Sequence, residues 1–226
     1  MKYNKNAPAL IITAGGSSSR FGRNKLLERI NGKEIILYTL DAFKDIELSE
    51  IIITTSEELK YILQPIIKND KIKLVMGGKT RQESVFNGLI ELAADTKTVI
   101  IHDGARPLVT QQTIDNCIKA VESKKAVTAA VKTIDTIKIV NKNGLIEYTP
   151  NREKLWNVQT PQVFDYNLIL NAHKKLKGEN FSDDACLLEK LGHNVYIEES
   201  EYTNIKITTL SDLEIVKNII NTNYGE

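Results

Sequence analysis

Short apolar runs alternate with longer amphipathic segments along the chain as far as residue 131. The apolar runs predict buried strands at residues 10–12, 51–53, 72–76, 99–101 and 126–131. Apolar positions at helical spacing between them predict helices at residues 35–43, 57–67, 81–94 and 113–121. Strands of this kind separated by helices are typical of an α/β fold with a mostly parallel sheet covered on both faces. Such sheets bind ligands at the carboxyl ends of their strands, which selects the loops after Thr13, Met76 and Ile101.

The alternation of strands and helices stops at residues 136–148, where two short runs flank the turn-forming pair Asn143-Gly144. This segment predicts a β-hairpin. A lone hairpin is marginally stable in water, so we expect it to pack on something else, and a partner subunit is the natural candidate. Beyond Trp156, the pattern predicts helices at residues 166–176, 183–191 and 212–220 and a short strand at residues 204–208. No low-complexity linker separates these segments, so we expect residues 1–226 to form a single domain.

Charge and composition narrow the class of protein. The 226 residues include 30 basic and 29 acidic side chains, a formal net charge of +1, so no broad field favours nucleic acid or a membrane surface. Any anionic ligand must therefore be held by a local group of cations. The chain shows no apolar run long enough for a secretory or membrane segment, which predicts a cytoplasmic protein. Cys117 and Cys186 are isolated and are predicted to be reduced thiols.

A glycine-rich segment directly follows the first predicted strand. Gly15 and Gly16 let backbone N–H groups approach an anion closely, and Arg20, Arg23 and Lys25 add three positive charges. The spacing fits neither the P-loop nor the dinucleotide fingerprint. We interpret the segment as a cradle for a nucleoside triphosphate. The alternative is a solvated loop whose serines cap a helix.

A second group of candidate residues lies at the end of the strand predicted at 99–101. Asp103 is a candidate ligand for Mg²⁺, and Arg106 is a candidate for recognising an anion or a polyol. The alternative is a structural Asp–Arg pair that closes the loop. We interpret His102 as a packed or hydrogen-bonded neighbour. His173 and His193 are predicted to lie on helical or turn surfaces with no partners nearby in the sequence, so no metal–histidine site is expected.

Weaker signals come from four other regions. Residues 77–85 follow a strand and open a helix, so their backbone N–H groups are placed to meet phosphate or the edge of a base. A turn followed by an N-cap explains the same pattern. Polar and basic residues also recur at Arg152, at residues 159–162 and at residues 204–208, where each alone is more typical of a protein surface.

Taken together, six segments resemble the 2-C-methyl-D-erythritol 4-phosphate cytidylyltransferase family. In family order they are Ala14-Gly15-Gly16…Arg20…Lys25, Gly77-Gly78-x-x-Arg81-x-x-Ser84-Val85, His102-Asp103-x-Ala105-Arg106-Pro107, Asp135-Thr136-Ile137-Lys138, Leu155-Trp156-x-x-Gln159-Thr160-Pro161-Gln162 and Asn204-Ile205-Lys206. The resemblance implies a Rossmann-like, glycosyltransferase-A-like fold. It also implies transfer of CMP from CTP to a polyol phosphate with Mg²⁺, and a homodimer interlocked by a hairpin arm at residues 134–150.

The resemblance also implies a role for each matching residue. Arg20 and Lys25 stabilise the transition state, and Asp103 binds Mg²⁺. The implied substrate contacts come from Ala14, Gly15, Gly16, Gly78, Arg81 and Ser84 on the nucleotide side, and from Arg106, Thr136, Arg152, Thr160 and Lys206 on the polyol side. The chain departs from the family pattern at Asn24-Lys25-Leu26, where Pro-Lys-Gln is usual, at Asn151, and at Gly104.

Three other functions are compatible with parts of this pattern. Ribitol-5-phosphate cytidylyltransferase of teichoic-acid synthesis shares nearly all the motifs, but Gly104-Ala105 and Leu155-Trp156 favour the methylerythritol phosphate enzyme. A non-catalytic nucleotide-binding regulator does not need Arg20, Lys25 and Asp103 together, so the presence of all three argues against this class. A sugar-1-phosphate nucleotidyltransferase shares the opening loop but lacks the segment at residues 156–162.

Overall fold

The computed structural model describes residues 7–15, 21, 24–67 and 69–224. Within this part of the chain, seven strands form one sheet in the order β11-β7-β10-β6-β1-β4-β5. These strands are β1 (Ala9–Ala14), β4 (Ile51–Thr55), β5 (Ile72–Met76), β6 (Thr98–Asp103), β7 (Ala126–Lys132), β10 (Trp156–Asp165) and β11 (Tyr196–Glu199). Every pairing is parallel except those of β10, which runs antiparallel to both β6 and β7. The predicted α/β fold with a mostly parallel sheet is confirmed.

Helices cover both faces of this sheet. They are α1 (Ile35–Asp41), α2 (Glu57–Leu63), α3 (Arg81–Leu89), α4 (Gln111–Lys124), α5 (Tyr166–Lys175), α6 (Asp184–Lys190) and α7 (Leu210–Tyr224). Successive side chains of a strand point to opposite faces, and β1 shows this directly. Leu10 and Ile12 belong to one buried apolar cluster, whereas Ala9 and Ile11 belong to the other. Among the described residues, no helix combines the length and the apolar character needed to cross a membrane.

The helices begin where the sequence supplies a capping side chain. Ser56, Thr80, Thr110, Asp165 and Asp183 each accept a hydrogen bond from a backbone N–H of the first turn of the helix that follows. Such caps satisfy donors that have no partner within the helix. Several helices are shorter than predicted, since α2 ends at residue 63 and α3 at residue 89. Their apolar periodicity continues past the last helical turn.

Two elements differ from the sequence predictions. The strand predicted at residues 204–208 is wrong, because this segment is irregular and is held by isolated hydrogen bonds. Strand β10 was missed, because Pro161 has no N–H to donate and argues against a central strand. The structure accommodates Pro161 through a register shift between Val158 and Gln162 in the pairing with β7.

The predicted hairpin is present but short. It consists of β8 (Ile139–Val140) and β9 (Ile146–Tyr148), with Gly144 at φ +79° in the turn. A positive φ of this kind favours glycine. A second small hairpin joins β2 (Arg29–Ile30) to β3 (Lys33–Glu34), just before α1.

Candidate active site

The candidate site lies at the topological switch point of the sheet. Strand β1 pairs with β4 on one side and with β6 on the other. The loops that follow β1 and β6 therefore border the same crevice, outside the carboxyl ends of these strands. Thr13 Oγ1 donates to Asp103 Oδ1 at 3.4 Å, and the Gly104 N–H donates to the Thr13 carbonyl at 3.0 Å. A Cβ on Gly104 would lie only 3.0 Å from that carbonyl oxygen. The close approach of the two strand ends therefore favours a small residue at this position, because a Cβ would force its neighbours to shift by a few tenths of an ångström.

Three cations surround Asp103 within the described part of the chain. Its carboxylate lies 2.8 Å from Lys206 Nζ, 3.3 Å from Arg81 Nε and 3.5 Å from Arg106 Nε. Burial opposes ionisation of this carboxyl group, but the charges of Arg81, Lys206 and Arg106 outweigh burial and hold the pKa of Asp103 well below its usual range. Asp103 is therefore ionised throughout the physiological range. The structural Asp–Arg pair considered from the sequence is present, with two further cations beside it.

The segment at residues 204–208 is fixed to the loop that follows β6. Arg106 Nη1 donates to the Asn204 carbonyl at 2.6 Å, and the Ile207 N–H donates to the Ala105 carbonyl at 2.9 Å. Asn204 and Ile207 are both buried. These bonds place Lys206 beside the carboxylate although the two residues are far apart in the sequence.

Thr160 supports Asp103 from the neighbouring strand β10. Its Oγ1 accepts from the Asp103 N–H at 3.0 Å, and its carbonyl accepts from Asn204 Nδ2 at 2.9 Å. Asn204 Nδ2 also donates to Gln159 Oε1 at 3.0 Å. The structure thus brings together Asp103, Arg106, Thr160 and Lys206, four of the residues that the sequence analysis selected.

The loop at Gly77-Gly78 lies against the end of β1. A Cβ on Gly15 would lie 3.3 Å from Ser84 Oγ, which places the two loops side by side. Ser84 Oγ accepts from the Gly78 N–H at 3.0 Å and donates to the Thr80 carbonyl at 2.9 Å. The Gly78 N–H is one of those predicted from the sequence to meet phosphate or the edge of a nucleotide base. In the structure it already donates a hydrogen bond within the protein. The alternative of a turn and an N-cap describes this loop, with Thr80 as the cap.

Arg81 connects the site to a buried network that the sequence analysis missed. Its Nη1 donates to Asp184 Oδ2 at 2.6 Å, and His173 Nε2 donates to Asp184 Oδ1 at 3.0 Å. Burial opposes ionisation of Asp184, but the charge of Arg81 and the bond from His173 keep the pKa of its carboxyl group lowered. The expectation that His173 lies on a surface is wrong, since the side chain is buried. His193 is exposed, as predicted.

His102 is a packed neighbour, as predicted. Its side chain has no exposed surface, Nε2 is 3.1 Å from the Arg106 carbonyl, and the ring meets Phe43 edge-on with centroids 5.1 Å apart. Burial lowers the pKa of His102 to about 4, because the charged ring would lose its hydration. The imidazole is therefore neutral at physiological pH and donates its Nε2 proton to the Arg106 carbonyl.

The remaining predicted residues are more dispersed. Lys25 opens a 3-10 turn (Lys25–Leu27), whose N-cap is Asn24. Thr136 and Arg152 are exposed near the hairpin, and Arg152 Nη1 donates to the Ile134 carbonyl at 2.7 Å. Ala14 is buried at the end of β1. Gly16, Arg20 and Arg23 lie outside the described residues.

The fold and the site define a class: Rossmann-like α/β proteins that gather cations around a carboxylate at the switch point of the sheet. The chain belongs to the IspD family, described as 2-C-methyl-D-erythritol 4-phosphate cytidylyltransferase, whose family model matches residues 9–222.

Individual relatives agree with this assignment. The chain is 43% identical over 220 residues to the 2-C-methyl-D-erythritol 4-phosphate cytidylyltransferase of Clostridium botulinum strain Eklund 17B, covering 93% of this chain and 98% of the relative. It is also 43% identical over 217 residues to the enzyme of the same name from Caldanaerobacter subterraneus, covering 92% and 96%. Among solved structures, 4-diphosphocytidyl-2C-methyl-D-erythritol synthase from Anaerococcus prevotii superposes with a TM-score of 0.87 at 33% identity, covering 96% of this chain and 100% of that one.

Proposed function

We propose that this chain transfers CMP from CTP to the phosphate of 2-C-methyl-D-erythritol 4-phosphate and releases pyrophosphate, as a step of isoprenoid precursor synthesis. The observation that supports this most directly is the group of Arg81, Arg106 and Lys206 around Asp103 at the switch point, in a chain of the family that carries this name. A nearly neutral protein can hold two polyanionic substrates only by concentrating cations in this way.

The reaction needs charge stabilisation more than it needs a base. An oxygen of the substrate phosphate attacks the α-phosphorus of CTP, a new P–O bond forms, and the bond to the β-phosphate oxygen breaks to release pyrophosphate. The attacking phosphate is already ionised at neutral pH, so no proton must be removed from it. The site agrees with this requirement, since His102 is buried and bonded to a backbone carbonyl. Cations that meet the developing negative charge supply the catalysis.

Two buried guanidinium groups have donors that suit an anionic ligand. Among the described residues, Arg81 Nη2 makes no hydrogen bond, and Arg106 Nε makes only a long 3.5 Å ion-pair contact with the Asp103 carboxylate. Buried donors without good partners are rare in proteins, and an anionic ligand is one group whose charge suits both guanidinium groups. Lys206 is more exposed, at 39% of its side chain, and is placed to meet an incoming phosphate.

The other roles follow the motif matches. Arg20 and Lys25 stabilise the transition state. The nucleotide lies along the two adjacent glycine loops, against Ala14, Gly15, Gly16, Gly78 and Ser84. The polyol phosphate lies against Lys206, Arg106, Thr160 and Thr136, with Arg152 contributed across a dimer.

Asp103 fits a magnesium ion as a single protein ligand. Its carboxylate is ionised, which makes it a hard oxygen donor of the kind Mg²⁺ prefers. Within the described ranges, no group of three histidine, cysteine, aspartate or glutamate side chains is arranged to hold a metal, so phosphate oxygens and water would supply the remaining ligands. When bound, the ion would neutralise charge on the phosphates. Lys206 lies 2.8 Å from the same carboxylate and would have to move away to make room.

The direct test is pyrophosphate release from CTP and Mg²⁺ with either of two acceptors. We expect faster release with 2-C-methyl-D-erythritol 4-phosphate than with ribitol 5-phosphate. The opposite order would assign the chain to the teichoic-acid branch. Tight binding of CTP without release from either acceptor would indicate a nucleotide-binding regulator.

We further propose that residues 1–226 form one domain and that the arm, residues 134–150, packs on a second copy of the chain. Seven large apolar side chains of the arm are exposed, which are Ile134, Ile137, Ile139, Val140, Leu145, Ile146 and Tyr148. Exposed apolar side chains concentrated in one short segment are typical of an interface. The two short strands are also too small to be stable alone.

Sedimentation velocity tests the dimer. We expect the wild type to sediment as a dimer and Leu145→Glu, which places a charge at a side chain that is 67% exposed, to sediment as a monomer. Tyr61→Glu is the matched control, since Tyr61 is 82% exposed on α2, and it should remain a dimer. A monomeric wild type would refute the proposal.

A further inference from the structure

Asp184 is a buried carboxylate one step behind the candidate site. It is the first residue of α6 and has no exposed surface. Its two oxygens bind different partners, Arg81 Nη1 at 2.6 Å and His173 Nε2 at 3.0 Å. The Asp184 N–H donates to Gln162 Oε1 at 3.2 Å, so the main chain is fixed as well as the side chain. Asp184 is therefore held in one orientation from three sides.

This orientation determines where the Arg81 guanidinium lies. Arg81 uses one nitrogen for Asp184 and another, Nε, for Asp103 at 3.3 Å. Its positive charge is also at the first residue of α3, where the helix dipole disfavours a cation. The two carboxylates offset that cost, and they place the guanidinium between the core and the site.

The support behind Asp184 is a packed interface between helices. The Phe86 ring of α3 stacks on the His173 ring of α5, with centroids 6.3 Å apart and planes 19° from parallel. Gln82 Nε2 donates to the Leu176 carbonyl at 3.3 Å, which ties the same two helices together. An anchor built into packed helices holds a side chain more firmly than a loop does.

We propose that Asp184 is a positioning residue for the transfer reaction, that it acts through Arg81, and that His173 fixes its carboxylate from behind. The inference rests on the proposed function, because it assigns Arg81 to the site where the phosphates react. Asp184 does not face the substrate. It holds Arg81 against Asp103, so that a guanidinium donor is aligned before CTP arrives.

A double-mutant cycle tests whether Asp184 acts through Arg81. Asp184→Asn keeps the shape of the side chain and removes the charge, and we expect it to lower kcat/KM for CTP by about 10–100-fold, as is usual for groups that orient a functional residue. In an Arg81→Gln background, the same change should cost less than about 3-fold, since no guanidinium remains to be positioned. An equal loss in both backgrounds would show a merely structural role and overturn the proposal, as would unchanged kcat/KM in the single variant.

The controls separate folding and function from positioning. Each variant is first checked by circular dichroism and thermal melting, and if Asp184→Asn does not fold, the cycle is run with His173→Phe. His173→Gln is the matched control, because its amide can still donate to Asp184, and it should retain more activity than His173→Phe. If His173→Gln loses as much as His173→Phe, the hydrogen bond to Asp184 is not what matters and the proposal fails. An inactive wild type would contradict the proposed function instead, whereas an active wild type with an additive cycle would contradict only the positioning role.

Discussion

Lowering the pH from 7 to 5 should destabilise the folded chain by about 2 kcal/mol through His102 alone. Burial lowers the pKa of this imidazole in the folded protein to about 4, against an ordinary value of 6.5, although the Arg106 carbonyl and Asp103 favour its charged form. Between these two pKa values the unfolded chain binds more protons than the folded chain, so the free energy of unfolding falls as the pH falls. The loss begins near pH 6.5 and continues until the pH reaches the folded-state pKa.

Urea unfolding at pH 7 and pH 5, followed by far-UV circular dichroism, measures this effect. The reference is His102→Gln, which does not titrate and whose amide can replace the hydrogen bond to the Arg106 carbonyl. Both proteins are measured with EDTA and without nucleotide. We expect the wild type to lose about 2 kcal/mol more than the variant between the two pH values, equivalent to roughly 4–8 °C in melting temperature. Equal losses would refute the reasoning, as would an NMR titration of the His102 ring with a midpoint near 6.5.

Two further predictions concern a cation and the thiols. Lys25→Ala should lower turnover by about 10²–10³-fold, which is the loss typical of one preorganised donor. Lys44→Ala is the control, because Lys44 lies on the exposed surface and its loss should leave turnover unchanged. Steady-state pyrophosphate release measures the turnover of both variants. Cys117 is buried, and burial raises the pKa of its thiol to about 12, whereas Cys186 is only half-buried. A thiol reagent at pH 8 should therefore modify Cys186 first and Cys117 only on unfolding, and mass spectrometry of the labelled peptides would reveal the reverse order.

Much of the sheet and the centre of the site could be predicted from the sequence. The strands β1, β4 and β6 contain continuous apolar runs, whereas Lys73 interrupts the run of β5, and parallel strands place their carboxyl ends together. Asp103 is the last residue of such a strand and Arg106 lies three residues beyond it, so their position near the switch point was predictable from local pattern alone. Lys206 was selected only through the resemblance, because nothing in its own neighbourhood indicates a contact with Asp103.

The residues that were missed depend on contacts between distant segments. Asp184 follows an ordinary N-cap, and His173 lies on an ordinary amphipathic helix, so neither carries a local signal. The pairing of Asp184 with Arg81 spans 103 positions of the chain, and His173 meets the same carboxylate only when α5 and α6 pack together. The strand predicted at residues 204–208 was wrong for a related reason. Ile205 and Ile207 alternate with polar residues as in a strand, but the segment binds the loop after β6 through side chains and single backbone bonds.

The position of β10 has a consequence for biosynthesis. Strand β7 is made before β10 and β11, yet these two later strands are its partners in the sheet. After β7 has emerged from the ribosome and before β10 emerges, the nascent chain therefore has β7 with neither neighbour available, and β6 lacks its partner on the same side. Unpaired edges of this kind favour aggregation, so the sheet passes through a vulnerable interval that ends when residues 156–165 insert between β6 and β7.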